Sequence, residues 1–304
     1  MESGDEDWIR RSFLLPPAVK GAAAAALPLN AKPGSLILRP VHLHVGLDHL
    51  VLDPPEHLGL TEPHAQALFS AAADWLAAEP ISLRYLSTQL WELTESRPEA
   101  TRFAELHVAS SARASGRNID LWLPRGRSAR AWRRLMNEVQ MLWHTHPVNA
   151  EREASGLKPV NALWLEGVVP EALSPVFSTV ISSEPILTGL AMASGATVLP
   201  DVTHPAKASL LTHQNCLLDA PFWRQAITSG SDRAWEDGWR AFESWFLGMS
   251  AEHGKNWLAG ALLVLTGETS AHLLTLPRHP SWRLWRRRAP AVWFEESPLF
   301  AEIS

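Results

Sequence analysis

Between Gly116 and Trp164 the chain gathers Arg117, Asn118, Asp120, Arg133, Asn137, Gln140, His144, His146, Asn149 and Asn161. Amides and imidazoles both donate and accept hydrogen bonds, and guanidinium groups hold oxyanions through charge-assisted bonds, so this set suits recognition of a small anionic ligand. The elements that must position it are visible in the spacing. From Ser128 to Trp143 the apolar residues Trp132, Leu135, Met136, Val139, Leu142 and Trp143 recur as one face of a helix. At roughly 100° per residue, Arg133, Asn137, Gln140 and His144 then fall within about 60° of one another on the opposite side. Solvated helix faces are normally built from Glu and Lys. Asn and His form helices poorly, which points to a binding role for the row.

Other constellations are weaker. His42 and His44 are two apart on a predicted strand and share a side, with Asp48 and His49 at the following turn and His144 and His146 as possible further ligands. There is no H-E-x-x-H motif and no cysteine pair, so the expectation is no metal site and no cofactor, with a divalent ion as the alternative. Cys216 lies near His213, but a lone cysteine is more often a small buried hydrophobe than a nucleophile. G-x-S-x-G, G-x-x-x-x-G-K-[ST] and G-x-G-x-x-G are all missing, so no catalytic residue is assigned. The basic run Trp282 to Arg288 reads as a snorkelling surface segment in preference to a nucleic-acid site.

Composition sets the outer limits. The 304 residues are 46% hydrophobic and carry a formal net charge of -5, which allows a substantial core and argues against a dedicated nucleic-acid binder. One cysteine excludes an intramolecular disulfide and fits a reducing compartment. No stretch has the length and apolarity of a membrane helix and no secretory signal is visible, so a cytoplasmic protein is expected. Fifteen tryptophans stand against one tyrosine, and their spread over helix-like segments is that of core and interface residues.

Along the chain, residues 1–35 read as a partly mobile N-terminal segment or a degenerate opening element, 36–280 as a single α/β domain and 281–304 as a C-terminal extension. A β-hairpin is predicted over Leu36 to Leu52, turning after Gly46. A helix capped by Thr61 follows, then strands at Ile81 to Tyr85 and Gln89 to Thr94. Asn149 is placed to cap a short helix ending near Gly156, and Ala162 to Leu165 reads as a strand. Val176 to Ile181, Pro185 to Ser194 and Ala196 to Leu199 have the length and order of a βαβ unit. Phe222 to Phe246 carries a tryptophan-rich helix broken around Gly230 and Gly238, and strands at Ala261 to Thr266 and His272 to Leu276 complete the chain. This alternation predicts an α/β fold, a mixed sheet flanked by helices.

Pro40-Val-His-Leu43, the Asp53-Pro54 turn, Leu60-Thr61, Gly116 to Pro124, Leu135 to Met141, His144-Thr-His-Pro-Val-Asn149, Arg152-Glu153 and Pro159 to Trp164 form an ordered series. Together they resemble the RpfE-type bacterial regulatory proteins, often labelled cofactor-independent phosphoglycerate mutase-like. That resemblance implies an alkaline-phosphatase-like α/β fold, in which the mutases use two metal ions and a serine nucleophile. This chain departs from the mutase pattern. Its N-terminal part has no strand ending in Asp-Gly, and Leu265-Thr266-Gly267-Glu268 stands where a Gly-Asp-His type motif would be. The implied function is therefore regulatory or ligand-binding, with a small anionic ligand or a protein as partner and neither nucleic acid nor membrane. The alternative is an active phosphoglycerate mutase or phosphohydrolase, with His144 or His146 as acid/base or ligand.

Overall fold

The computed structural model describes residues 4–15, 21–46, 49–96, 103, 106–199, 215–223, 231–253, 262–266 and 271–275. It divides into two compact units, one comprising Ile9–Pro200 with Asn215–Asp219, the other Met1–Trp8, Asp201–Gln214 and Ala220–Ser304. In chain order α1 (Gly4–Ser12) and a 3-10 segment (Gly21–Leu29) precede β1 (Leu36–Val41), β2 (Leu43–Val45) and β3 (Leu50–Leu52). Next come α2 (Glu62–Leu76), β4 (Ile81–Tyr85), β5 (Trp91–Glu95), α3 (Ser111–Ala114), α4 (Ala129–His144), α5 (Pro147–Ala154) and β6 (Ala162–Val168). The larger unit ends with β7 (Thr179–Ile181), α6 (Pro185–Ala193), β8 (Thr197–Leu199) and β9 (Cys216–Leu218).

The fold is mixed α/β with a sheet flanked by helices, and the antiparallel and parallel pairings lie in separate sheets. An antiparallel sheet has the order β4-β5-β1-β6, and a parallel one the order β8-β7-β9. β1 is central and buried on both faces. Leu36 and Leu38 enter the core formed with α2 and α4, while Ile37 faces a second cluster with Ala23, Ala25 and Ala26 of the 3-10 segment. Such alternation follows from the two-residue period of a strand. The expected hairpin is present as β2–β3, closed by Gly46 N–H donating to the His49 carbonyl at 2.7 Å. β1 itself pairs with β5 and β6, partners too distant in sequence for local patterning to reveal.

The predicted apolar stripe of α4 is buried at Trp132, Leu135, Met136, Val139 and Trp143. Trp143 meets Trp91 edge to face at 5.7 Å, and its indole N–H donates to the Leu68 carbonyl of α2 at 3.1 Å. The βαβ unit is borne out, since β7 pairs in parallel with β8 across α6. The alanine run of the N-terminal segment forms the 3-10 segment, with Ala23, Ala24 and Ala26 fully buried. Small side chains let that backbone approach α6 so closely that a Cβ built on Gly189 would lie 1.8 Å from the Ala24 carbonyl oxygen.

In the second unit, α7 (Asp232–His253) and the hairpin of β10 (Leu262–Thr266) with β11 (Ala271–Thr275) match the expected late elements. The expected break at Gly238 does not occur. The helix runs through it, and the residue is small because the Phe222 carbonyl oxygen would meet its Cβ at 2.7 Å. Gly230 and the Trp282 to Arg288 run lie outside the described residues. No helix among the described residues is long and apolar enough to cross a membrane.

Candidate functional site

The ten residues singled out from sequence fall in three places. Asn118 caps the 3-10 turn Ile119–Leu121 by accepting from Asp120 N–H at 2.9 Å, Asp120 is exposed, and the Arg117 guanidinium lies 5.8 Å from the Trp122 ring centroid. Arg133, Asn137, Gln140 and His144 are exposed along α4, the side opposite its buried stripe. Arg130, Arg134 and Met141 share this face. His146, Asn149 and Asn161 lie beyond the end of α4, in a frame whose amide groups serve the backbone.

That frame is built around residues 158–161, with Lys158 and Val160 tied to α5, Pro159 to His42 and Asn161 to β2. The Arg152 guanidinium donates to the Lys158 carbonyl at 2.9 Å and to the Leu58 carbonyl at 2.6 Å. Pro159 offers its carbonyl to His42 Nδ1 at 2.7 Å. Val160 N–H donates to Asn149 Oδ1 at 2.8 Å, while Asn149 Nδ2 donates to the Val160 carbonyl at 2.8 Å and the Trp143 carbonyl at 2.9 Å. The Asn161 amide accepts from Leu43 N–H at 2.7 Å and donates to the Leu43 carbonyl at 2.8 Å, acting as a one-residue strand beside β2. Buried polar groups demand such partners, which explains why amides occupy these positions.

The cap of α5 corrects an expectation. His146, not Asn149, is the N-cap, its Nδ1 accepting from Val148 N–H at 3.2 Å, and Asn149 is inside the helix. Pro147 fixes the start because its missing N–H costs nothing in the first turn. Burial lowers the pKa of His146, and of His42, below the usual 6.5. For His42 the Pro159 hydrogen bond and the Asp53 charge oppose that effect without reversing it. A folded pKa below the unfolded value means the native state binds fewer protons, so this stability is complete above 6.5 and is lost as pH falls through the lowered values. Protonating His146 would also remove the capping lone pair and put positive charge at a helix N-terminus. Urea midpoints should therefore fall between about pH 7 and pH 5, and His146→Asn, a cap that does not titrate, should flatten that dependence. An unchanged slope in the variant would remove His146 from the account.

Sequence reasoning found His42 and His44 and missed Asp53 and Lys158. Asp53 N–H donates to the His42 carbonyl at 3.0 Å, so the residue sits opposite His42 across the hairpin. His44 Nδ1 is 2.8 Å from Asp53 Oδ1, and Lys158 Nζ contacts Asp53 Oδ2. The two imidazoles are near parallel, at 16° and 6.2 Å between centroids. Asp53 is buried, which alone would raise its pKa; the Lys158 ammonium, aided by His44 and His42, outweighs that and holds the carboxyl below its ordinary range. The His42/Asp53 apposition follows from strand register, a signal available once β2 and β3 are aligned. Among the described residues, His42, His44 and Asp53 are the one group of three side chains with metal-ligand chemistry in reach of one another. The set suits one ion and does not fit a two-metal centre with ions about 4 Å apart. His144 and His146 are not part of it. Asp48 and the Cys216/His213 pairing lie wholly or partly outside the described residues; Cys216 is partly buried in β9, and burial raises its thiol pKa.

At the carboxyl ends of the parallel strands, Ser182 Oγ donates to Asp219 Oδ2 at 2.8 Å, joining the ends of β7 and β9. The order β8-β7-β9 makes this the place where the chain reverses its direction of winding, the usual ligand crevice of open parallel sheets. Burial raises the Asp219 pKa against the opposing Ser182 hydrogen bond.

No protein-family model matches the chain. Part of it is similar to 2,3-bisphosphoglycerate-independent phosphoglycerate mutases. One, from Methanothrix thermoacetophila, is 36% identical over 91 residues, and one from Methanosarcina mazei is 28% identical over 95 residues. Each match covers 28% of this chain and 23% of the relative, so the chain spans about a quarter of the length of the curated relatives it matches. Among solved structures, the PH0037 protein from Pyrococcus horikoshii superposes with a TM-score of 0.50 at 12% identity, over 89% of this chain and 69% of that one. The fold likeness is broad, while the sequence similarity is partial and points to the cofactor-independent phosphoglycerate mutase superfamily.

Proposed function

We propose that this phosphoglycerate-mutase-like chain is an RpfE-type regulatory or ligand-binding protein that engages a small anionic ligand through the exposed face of α4. The observation that carries the reading is the charge at the start of that helix. Arg125, Arg127, Arg130, Arg133 and Arg134 are all exposed there, the first turn has no acidic residue, and the Ser128 side chain makes no capping bond. Each feature opposes helix stability. Cations near an N-terminus cost about 0.3–1 kcal/mol, and like charges at i, i+4 cost roughly 0.2–0.5 kcal/mol more. A bound oxyanion reverses both signs, with Asn137 and Gln140 further along the face to orient the rest of the ligand.

Thermal unfolding with inorganic phosphate and with 3-phosphoglycerate tests this. Ligand at 100 times Kd should stabilise the protein by about 2.7 kcal/mol, and the double variant Arg133→Ala/Arg134→Ala should lose that gain while unfolding normally without ligand. No stabilisation by either anion, or stabilisation unchanged in the variant, would sink the proposal. The Ser182–Asp219 pair at the parallel-strand ends favours a second reading, an active phosphotransferase or phosphohydrolase. Turnover of a phosphomonoester abolished by Ser182→Ala would support it over the first.

A further inference from the structure

The geometry of the β2–β3 hairpin points to a new site: we propose that His42, His44 and Asp53 bind a single divalent transition-metal ion, in whose absence the Lys158 ammonium stands as counter-charge. The proposal is independent of the anion-binding reading, which concerns α4. Three features carry it. His42 immediately precedes β2 and Asp53 immediately follows β3, where the Asp53 N–H to His42 carbonyl bond prolongs the pairing, and His44 is two residues beyond His42, so all three side chains project from one face. Their ligand atoms lie within 4.8 Å of one another. Metal–nitrogen and metal–oxygen bonds of about 2.0–2.2 Å need donor separations of roughly 3–4 Å, so side-chain rotation of about an ångström closes the set.

The surroundings match what a metal-bound imidazole requires. A carbonyl can only accept, so the 2.7 Å contact of Pro159 with His42 fixes the ring proton on Nδ1 and leaves the Nε2 lone pair for an ion. His44 Nδ1 approaches Asp53 Oδ1 to 2.8 Å without the alignment of a hydrogen bond and has no other bonding partner among the described residues, the relation of two donors aimed at a common third body. Two imidazoles and one carboxylate select zinc, cobalt, nickel or copper over calcium and magnesium, and leave at least one coordination position open. Lys158 is attached to Asp53 through an exposed stem, 59% accessible, so the ammonium can swing into solvent when an ion enters.

The test is titration of the full chain, freed of metal, with Co2+ followed by visible absorption and with Zn2+ followed by calorimetry. One equivalent should bind with absorption bands of four- or five-coordinate cobalt. His44→Ala and Asp53→Asn should each weaken binding at least tenfold, whereas Lys158→Met, which leaves all three ligands in place, should tighten it. Absence of one-to-one binding, binding indifferent to His44→Ala and Asp53→Asn, or weakening in Lys158→Met in a variant with unchanged circular dichroism would each overturn the proposal, leaving an ion-pair network that braces the hairpin. The arginine variants on α4 should bind the metal normally.

Discussion

Replacing Gly189 by alanine is expected to destabilise the larger unit by about 3 kcal/mol or more, at or above the upper end of the usual overpacking range because the overlap is with backbone. Helix propensity alone predicts the reverse, a gain of about 1 kcal/mol for Gly→Ala within a helix. Packing wins because the new Cβ would meet the Ala24 carbonyl oxygen at 1.8 Å and its carbon at 2.5 Å, and neither can rotate away as a side chain would. Relief requires parting α6 from the 3-10 segment, which exposes Ala24, Leu190 and Ala191, all fully buried. Gly248→Ala is the matched control. Among the described residues its Cβ meets nothing within 4 Å, so that substitution should be neutral or slightly stabilising. Urea unfolding of both variants decides the matter, and equal small effects would show that the close approach is not a stabilising contact.

Arg152→Met should also be strongly damaging, costing about 2–4 kcal/mol. The guanidinium is fully buried, with 0% exposure, and among the described residues its recorded partners are backbone carbonyls: Lys158, Leu58 and, at 3.4 Å, Gly59. Burial lowers its pKa, yet an arginine remains charged. Removing a buried charge relieves desolvation, which favours the methionine variant; against this stand two well-formed charge-assisted bonds worth about 1.5–3 kcal/mol each and the carbonyls left unpaired. The second effect is larger. Lysine at this position should rescue only part of the loss, because a point ammonium cannot span carbonyls held by a planar fork. Hydrogen exchange at the Val160 amide should accelerate along with the drop in stability. A variant within about 0.5 kcal/mol of the parent, the range of ordinary surface changes, would refute the assignment.

The parts legible in sequence were those written as a local period. The stripe of α4, the turn after Gly46 and the βαβ unit each depend on residues a few positions apart, and each was found. The amides of the same stretch misled because composition does not say which way a side chain points. Asn149 and Asn161 satisfy backbone groups that no strand or helix reaches, a requirement that exists only once the loop at 158–161 is folded against Leu43 and Trp143. The central place of β1 was hidden for a related reason. Its partners Trp91 to Leu93 and Ala162 to Val168 are far along the chain, and an apolar run such as Leu36 to Leu38 does not reveal whether one face or two will be covered. Of the hairpin cluster, the two histidines announced themselves by spacing, whereas Asp53 needed the register and Lys158 the tertiary fold.

The clamp of Asn161 on Leu43 has a consequence for how copies of this protein behave together. A two-stranded ribbon ordinarily offers two open edges, each a template on which a neighbouring chain can add a strand. Here the outer edge of β2 is occupied at Leu43 by a side-chain amide that takes both its N–H and its carbonyl. Along β3, the Leu52 carbonyl accepts from Gly116 N–H at 2.8 Å, and Val51 bridges to Asn118. Neither edge is left for intermolecular pairing at these positions, so the Asn161 amide blocks strand addition at Leu43 as well as bracing the loop.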